Sequence, residues 1–133
     1  KVMQTLSDGG GIYTLGNQPG SALRGNRIHS IPRNAGRAES NGMFLDQGTG
    51  SFVIENNLIY DVDRSPFRFH KGWTNTVRNN TVYVPDGIPL VRYNDTVEAR
   101  IDVEGNTELK TDDELKQAIK EHGEDANLAK DRL

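Results

Sequence analysis

The sequence has no cysteine, which excludes disulfide bonds and metal sites built on thiolates. No apolar run approaches the roughly 20 residues that a membrane-spanning helix needs. The 16 basic and 19 acidic side chains are interspersed and give a net charge of −3, so no basic face is offered to a phosphate backbone. We therefore expect neither a membrane nor a nucleic acid as a partner. A length of 133 residues with 34% hydrophobic content is enough for one domain with one core.

The chain does contain a repeat. Asn26, Asn57, Asn80 and Asn106 each follow a Gly or another Asn, and they lie 31, 23 and 26 residues apart. Intervals of this length are typical of supersecondary units that stack on one another. Stacked coils would bring the four asparagines to about 4.8 Å from one another, where their amides can bond along the stack. We expect this column to be structural rather than catalytic.

A second repeated strand lies between the asparagine turns, at residues 11–16, 42–48, 66–72 and 90–94. Aligning Ile12 with Met43 gives the same offset as aligning Asn26 with Asn57, so two landmarks agree on one register. Two strands per coil are predicted, with residues 32–41 as a loop because they lack periodicity. The pattern predicts an all-β chain that forms a parallel β-helix of about four coils. A β-sandwich is the alternative, since it also has short strands at regular spacing.

Alternation along each strand sorts side chains into an inner and an outer set. Met43, Leu45, Phe67 and Phe69 are predicted to face inward with Ile12. Two outward columns follow from the same register, namely Tyr13, Phe44, Arg68 and Arg92 in one, and Leu15, Asp46, His70 and Asn94 in the other. His29, Tyr60 and Tyr83 form a further column on the next strand.

The C-terminal segment changes character after residue 109. Thr111 and Glu114 have the spacing of a capping box, and Gly123 is expected to stop the helix that they start. We predict a short C-terminal α-helix over residues 112–122, lying over the last coil and covering its strand edges. The expected organisation is therefore β-helix coils at 1–109 and a capping helix and tail at 110–133.

Several segments resemble a known group. They resemble right-handed parallel β-helix proteins of the pectate-lyase-like superfamily. The segments that carry the resemblance are Asp-Gly-Gly-Gly-Ile-Tyr beginning at Asp8, residues 25–29, Phe-Leu-Asp ending at Asp46, and residues 55–60. The similarity is closest to its glycoside-hydrolase-like members of fucosidase or xylanase type and covers residues 1 to about 106. It implies a bacterial, periplasmic or secreted protein that acts on a polysaccharide or oligosaccharide.

Those relatives extend beyond both ends of this chain. The resemblance therefore implies an internal or C-terminal fragment, whose first coil is covered by missing chain, by a partner or by self-association.

The resemblance also implies cleavage of a glycosidic bond by carboxylates, for which Asp8 and Asp46 are the matching positions. Such cleavage needs one carboxyl group as acid and another as base or nucleophile. The register separates Asp8 from Asp46 along the sheet unless the glycines at 9–11 fold the chain back. His70 lies one coil from Asp46 and completes the predicted catalytic set. The predicted substrate-binding residues are Tyr13, Phe44, Arg68, Arg92 and Glu39.

Two other functions remain open. One is a non-catalytic glycan-binding or structural β-helix segment, and the other is a polysaccharide lyase with a base such as Arg68 or His70 near a calcium ion. The residues themselves predict no metal site, because no column carries carboxylates on consecutive coils and a hard cation needs six or more oxygen ligands. No cofactor is expected, and calcium is implied only through the lyase relatives.

Overall fold

A computed structural model of the chain describes residues 8–33 and 40–130. These residues form β-strands that succeed one another in sets of three, which we call rungs. The first rung is β1 (Gly9–Thr14), β2 (Ala22–Arg24) and β3 (Arg27–Ile28), and the second is β4 (Ser40–Leu45), β5 (Val53–Glu55) and β6 (Leu58–Tyr60). The third is β7 (Phe67–His70), β8 (Asn75–Arg78) and β9 (Thr81–Tyr83). The fourth is β10 (Val91–Asn94), β11 (Ile101–Glu104) and β12 (Thr107–Glu108), with a 3₁₀ helix at Glu98–Arg100.

The rungs stack into three parallel sheets. The first sheet has the order β1-β4-β7-β10, the second β2-β5-β8-β11 and the third β3-β6-β9-β12, and each named pair is parallel. Ile12 pairs with Met43 and Met43 with Phe67, which confirms the predicted register. A β-sandwich is built from antiparallel strands, so that alternative is wrong. The architecture is that of a parallel β-solenoid and is compatible with a parallel β-helix.

The expectation of two strands per rung is wrong, because the segment before each ladder asparagine is a strand of its own. A two-residue turn separates it from the next strand, and the first residue of this turn has positive φ: it is Gly25 (φ 66°), Asn56 (55°), Asn79 (53°) or Gly105 (61°). Gly and Asn are the residues that adopt this left-handed conformation most readily. The Gly-Asn and Asn-Asn pairs of the sequence therefore mark a corner between the second and third sheets.

The predicted asparagine column is confirmed. The Nδ2 of Asn26 donates to Oδ1 of Asn57 (2.9 Å), Asn57 donates in the same way to Asn80 (2.8 Å), and Asn80 to Asn106 (2.9 Å). Each accepting Oδ1 also takes the backbone N–H of the asparagine that donates to it. Asn57 and Asn80 are almost completely buried, and the ladder satisfies their polar groups without water.

The core runs along the axis of the stack. Met43, Leu45, Phe67 and Phe69 have no exposed surface, as the alternation predicts. Ile54, Ile59, Val77 and Val82 from the other two sheets are equally buried and belong to the same cluster. This continuous apolar interior fixes which face of the first sheet points outward.

The helix α1 (Asp112–Lys130) begins as predicted. The Oγ1 of Thr111 accepts the N–H of Glu114 (3.2 Å), and Oε2 of Glu114 accepts the N–H of Thr111 (3.0 Å), which is the reciprocal pattern of a capping box. The expected stop at Gly123 is wrong, because the helix continues to Lys130. A glycine inside a helix costs only about 1 kcal/mol, and the residues after it include good helix formers.

The helix lies along the side of the stack. The hydroxyl of Tyr83 on β9 donates to Oδ1 of Asp112 (2.7 Å), and the helix also contacts β6 in the second rung. We expected it over the last coil, whereas these contacts place it against the outer face of the third sheet. Among the described residues, no helix combines the length and the apolar character needed to cross a membrane.

Candidate functional site

The outer face of the first sheet carries the candidate site. Tyr13, Phe44, Arg68 and Arg92 are aligned across β1, β4, β7 and β10, as the sequence register predicts. Asp46 follows the last residue of β4, and His70 ends β7. Residues that are 24 and 33 positions apart in the sequence therefore meet at one end of the sheet.

Asp46 lies at the centre of this group and is only 8% exposed. Its Oδ2 accepts a short hydrogen bond from the hydroxyl of Tyr13, and its Oδ1 lies 2.7 Å from Nδ1 of His70. A carboxylate can only accept, so Nδ1 of His70 carries the proton. This contact leaves Nε2 of His70 directed away from Asp46, at 3.9 Å from Oδ2 of Asp95.

The charge state of Asp46 follows from these contacts. Burial favours the neutral acid and raises the pKa of Asp46, but hydrogen bonds from Tyr13, from His70 and from the backbone of Gln47 favour the carboxylate. Together the hydrogen bonds outweigh the burial, so the pKa of Asp46 lies below its ordinary value of 3.8. Asp46 is ionised at neutral pH.

Tyr13 responds in the opposite direction. The hydrogen bond to Asp46, burial, and the negative charges of Asp46 and Asp8 raise the pKa of Tyr13 from 10.0 to about 12, although Arg68 counteracts them. Tyr13 therefore stays a neutral hydrogen-bond donor at any physiological pH.

Asp8 joins the site through Arg68. Its Oδ1 lies 2.6 Å from Nη1 of Arg68, although one strand separates β1 from β7 in the sheet. Nε of Arg68 donates to Oδ1 of Asn94 (3.0 Å), so the guanidinium is held on two sides. Asp8 has positive φ (62°), which turns the chain immediately before the glycines at 9–11. The predicted candidates Asp8 and Asp46 thus each contact a residue that packs on Phe44, Arg68 for Asp8 and Tyr13 for Asp46.

Phe44 differs from the expectation that it is an exposed aromatic platform. It has no exposed surface, because Tyr13 packs edge-on against it at 5.1 Å between ring centroids and Arg68 lies over its ring at 4.3 Å. Edge-to-face and cation–π contacts of this kind are favourable. Phe44 therefore supports Tyr13 and Arg68 from below, and the expected exposure is wrong.

Of the remaining predicted residues, Arg92 is half-buried and pairs with Arg68 across β10 and β7. Glu39 lies outside the described residues. The structure adds Asp95 beside His70 and the exposed Trp73, which the sequence reasoning did not select. Both lie in turns, where the alternation rule assigns no direction. A lone Trp two residues before the strand β8 is the only signal that the sequence offers for that position.

The described residues contain no group of three or more His, Cys, Asp or Glu side chains placed to hold a metal ion. What the site offers is an ionised carboxylate between two hydrogen-bond donors, a second carboxylate paired with an arginine, and an exposed tyrosine edge.

Comparison with known proteins adds no assignment. No protein family, no curated protein and no solved structure matches the chain. The architecture agrees with the β-helix resemblance at the level of a parallel solenoid, and the site is interpreted below from its own geometry.

Proposed function

We propose that the rungs are about four coils of a right-handed parallel β-helix. The support for handedness is the general rule that connections between parallel strands of one sheet are right-handed in about 98% of cases. Each connection here leaves a strand of the first sheet, passes through the second and third sheets, and returns to the first.

We further propose that the chain is a carbohydrate-active protein, part of a glycoside hydrolase that cleaves a polysaccharide or oligosaccharide on the outer face of the first sheet. The observation that carries this proposal is Asp46, a carboxylate kept ionised by Tyr13 and His70 while nearly buried. Glycoside hydrolysis develops positive charge on the sugar ring, and a fixed negative charge in a site of low water content stabilises it.

In this proposal Asp46 acts as the ionised member of the carboxyl pair and Asp8 as the proton donor. Asp8 suits the second role because 56% of its side chain is exposed, so a leaving group can approach it. The side chain of Arg68 is only 13% exposed, so its pair with Asp8 is not a fully exposed one. In this proposal substrate hydroxyl groups accept from Arg68 in place of Asp8, and Asp8 takes up from solvent the proton that it then donates to the leaving group. Tyr13 and His70 position Asp46, and Arg68 and Arg92 contact the sugar.

The test compares leaving groups. Wild type, Asp46→Asn and Asp8→Asn are assayed on oligosaccharides and on 2,4-dinitrophenyl glycosides, whose leaving group needs no protonation. Asp46→Asn should lose activity on both substrates. Asp8→Asn should lose activity on oligosaccharides and keep most of it on the activated glycosides.

Asp102→Asn is the matched control, because Asp102 is an exposed carboxylate on β11, in the second sheet, and it should retain activity. Turnover by folded Asp46→Asn equal to wild type would overturn the assignment. An unsaturated product that requires added calcium would indicate a lyase instead.

A glycan-binding module is the second candidate, and one observation favours it. Both oxygens of Asp46 are already hydrogen-bonded within the protein, as in a rigid recognition surface. Saturable binding of oligosaccharides without turnover of any of them by the wild-type chain would select this function over hydrolysis.

A further inference from the structure

Trp73 is the most exposed large hydrophobic side chain among the described residues, with 56% of its surface accessible. It lies in the turn between β7 and β8, outside the cluster around Asp46. A single exposed aromatic residue needs no function of its own. Three further features of its surroundings, however, are those of a binding site.

The first feature is that hydrogen bonds fix the backbone of Trp73 and that Arg100 contacts its ring. The backbone N–H of Trp73 donates to the carbonyl of Thr49 (2.9 Å), and its own carbonyl accepts Nδ2 of Asn75 (2.9 Å). The guanidinium of Arg100 lies over the ring at 4.9 Å from its centroid. A Cβ at Gly50 would come within 2.9 Å of the Cβ of Trp73, so glycine at this position leaves room for the side chain. An ordered ring loses little conformational entropy when a ligand binds.

The second feature is a cavity beside the ring. Its volume is about 340 Å³, and it is lined by Asn17, Ser51, Trp73 and Thr74. Small-molecule sites typically span about 300 to 1,000 Å³. Ser51 donates its hydroxyl to Oδ1 of Asn17 (2.7 Å), which fixes two of the polar groups at the wall.

The third feature is the chemistry of that lining. Hydroxyl and amide groups donate and accept hydrogen bonds, and none of the four lining side chains carries a charge. Neutral polar groups around an aromatic ring match a pyranose, which presents hydroxyl groups at its edge and C–H groups on its face. The guanidinium of Arg100 over the indole is a positive charge beside this lining, so an acidic sugar would find a countercharge there and a cation would not.

The cavity also adjoins the candidate site. The carbonyl of Asp46 accepts the N–H of Thr49 (2.8 Å), and the carbonyl of Thr49 accepts the N–H of Trp73. One tight turn therefore connects the carboxylate to the indole. A sugar chain bound at Asp46 can extend over this turn.

We propose that Trp73 forms a saccharide subsite, in which a pyranose ring of an oligosaccharide packs on the indole and hydrogen-bonds to Asn17, Ser51 and Thr74. The choice of a saccharide as ligand rests on the proposed function. The subsite is separate from the catalytic residues, so that binding here and cleavage at Asp46 can be measured independently.

The experiment uses the fact that Trp73 is the single tryptophan of the chain. Asp46→Asn protein, which should bind without turnover, is titrated with xylohexaose, cellohexaose and hexagalacturonate while tryptophan emission is recorded. At least one of these probes should shift the emission to shorter wavelength, saturably, and should protect the indole from acrylamide quenching. Calorimetry should show that Trp73→Ala, made in the same background, binds that probe at least about tenfold more weakly.

Two variants serve as controls. Trp73→Phe keeps an aromatic ring and should retain part of the affinity, while Val103→Ala removes an exposed apolar side chain outside the cavity and should bind as tightly as the parent. Equal affinity of Trp73→Ala and its parent would overturn the subsite.

The outcomes separate this proposal from the hydrolase proposal. If oligosaccharides are cleaved in an Asp46-dependent manner but none of them alters the emission of Trp73, the subsite is wrong and the hydrolase stands. If the emission responds and Trp73→Ala weakens binding while no substrate is cleaved, the subsite stands and the hydrolase is wrong. If no probe binds and no substrate is cleaved, both are overturned.

Discussion

At the scale of single residues, the ionisation state of Asp46 depends on the balance between burial and hydrogen bonding. Burial disfavours its charge, and the hydrogen bonds from Tyr13 and His70 favour it by more. The same bonds fix the orientation of the carboxylate, because both of its oxygens are engaged. Positioning and ionisation therefore have one physical origin, and a change to either donor should alter both.

The pH dependence of stability follows from this balance. The pKa of Asp46 is lower in the folded chain than its ordinary value of 3.8, so the carboxylate contributes stability that is fully present above pH 3.8 and is lost as the pH falls through the lower folded pKa. Urea unfolding of wild type and Asp46→Asn between pH 7 and pH 2 should show wild type more stable at pH 7, with a difference that shrinks in the acid range.

Tyr13→Phe provides the comparison for this measurement. It removes one of the donors that lower the pKa of Asp46, so the acid-dependent loss of stability should be smaller than in wild type and complete at a higher pH. A difference between wild type and Asp46→Asn that stays constant from pH 7 to pH 2 would contradict the assignment.

At the scale of secondary-structure elements, the asparagine ladder joins the rungs at the corner between the second and third sheets. Asn80 accepts two hydrogen bonds from Asn57 and donates to the carbonyl of Ile54 and to Asn106. Asn26, at the described end of the ladder, is only half-buried and donates to Asn57 and to the carbonyl of Arg24. The position of an asparagine in the ladder should therefore determine how much its replacement by alanine lowers the free energy of unfolding.

Asn80→Ala should destabilise the fold by about 2–4 kcal/mol, because it leaves buried donors and acceptors of its neighbours without partners. Asn26→Ala should cost about 1 kcal/mol or less, since the groups that it exposes remain near water. Chemical denaturation of both variants beside wild type measures the two values. Equal losses would indicate that the asparagines act only as independent turn residues.

The left-handed corners provide a second test at this scale. Gly25 and Gly105 both have positive φ, so alanine at either position costs about 1–2 kcal/mol. A Cβ at Gly25 meets nothing within 4 Å, whereas at Gly105 it would lie 2.5 Å from Oδ1 of Asn79. Thermal unfolding should therefore show a larger loss for Gly105→Ala than for Gly25→Ala, and the reverse order would contradict the described corner geometry.

At the scale of the whole molecule, the sequence predicts the stacking because equal offsets between landmarks are a long-range signal. The common offset of Ile12 to Met43 and of Asn26 to Asn57 defines the strand pairs that are observed. The number of strands per rung was harder to predict. Strands of three residues, such as β2 and β5, show too little alternation of polar and apolar side chains to be distinguished from a turn.

Parts of the candidate site also could not be predicted from the sequence. Alternation correctly places Phe44 in the column of Tyr13 and Arg68, but whether that column is open depends on how its long side chains fold over one another. Tyr13 and Arg68 cover Phe44, and this is a property of packing. The contact between Asp8 and Arg68, 60 residues apart, likewise depends on a local turn that no repeat encodes.

The central claim is that rungs stacked in register bring Tyr13 and Asp46 into contact. The most direct test is an ultraviolet titration of tyrosine ionisation in wild type and in Asp46→Asn. Subtracting the titration curve of the same protein carrying Tyr13→Phe isolates the ionisation of Tyr13. Circular dichroism recorded at each pH verifies that the protein is folded. The account predicts a pKa of about 12 for Tyr13 in wild type and a fall toward 10.0 in Asp46→Asn. A wild-type pKa of Tyr13 near 10.0, or one that Asp46→Asn leaves unchanged, would contradict it.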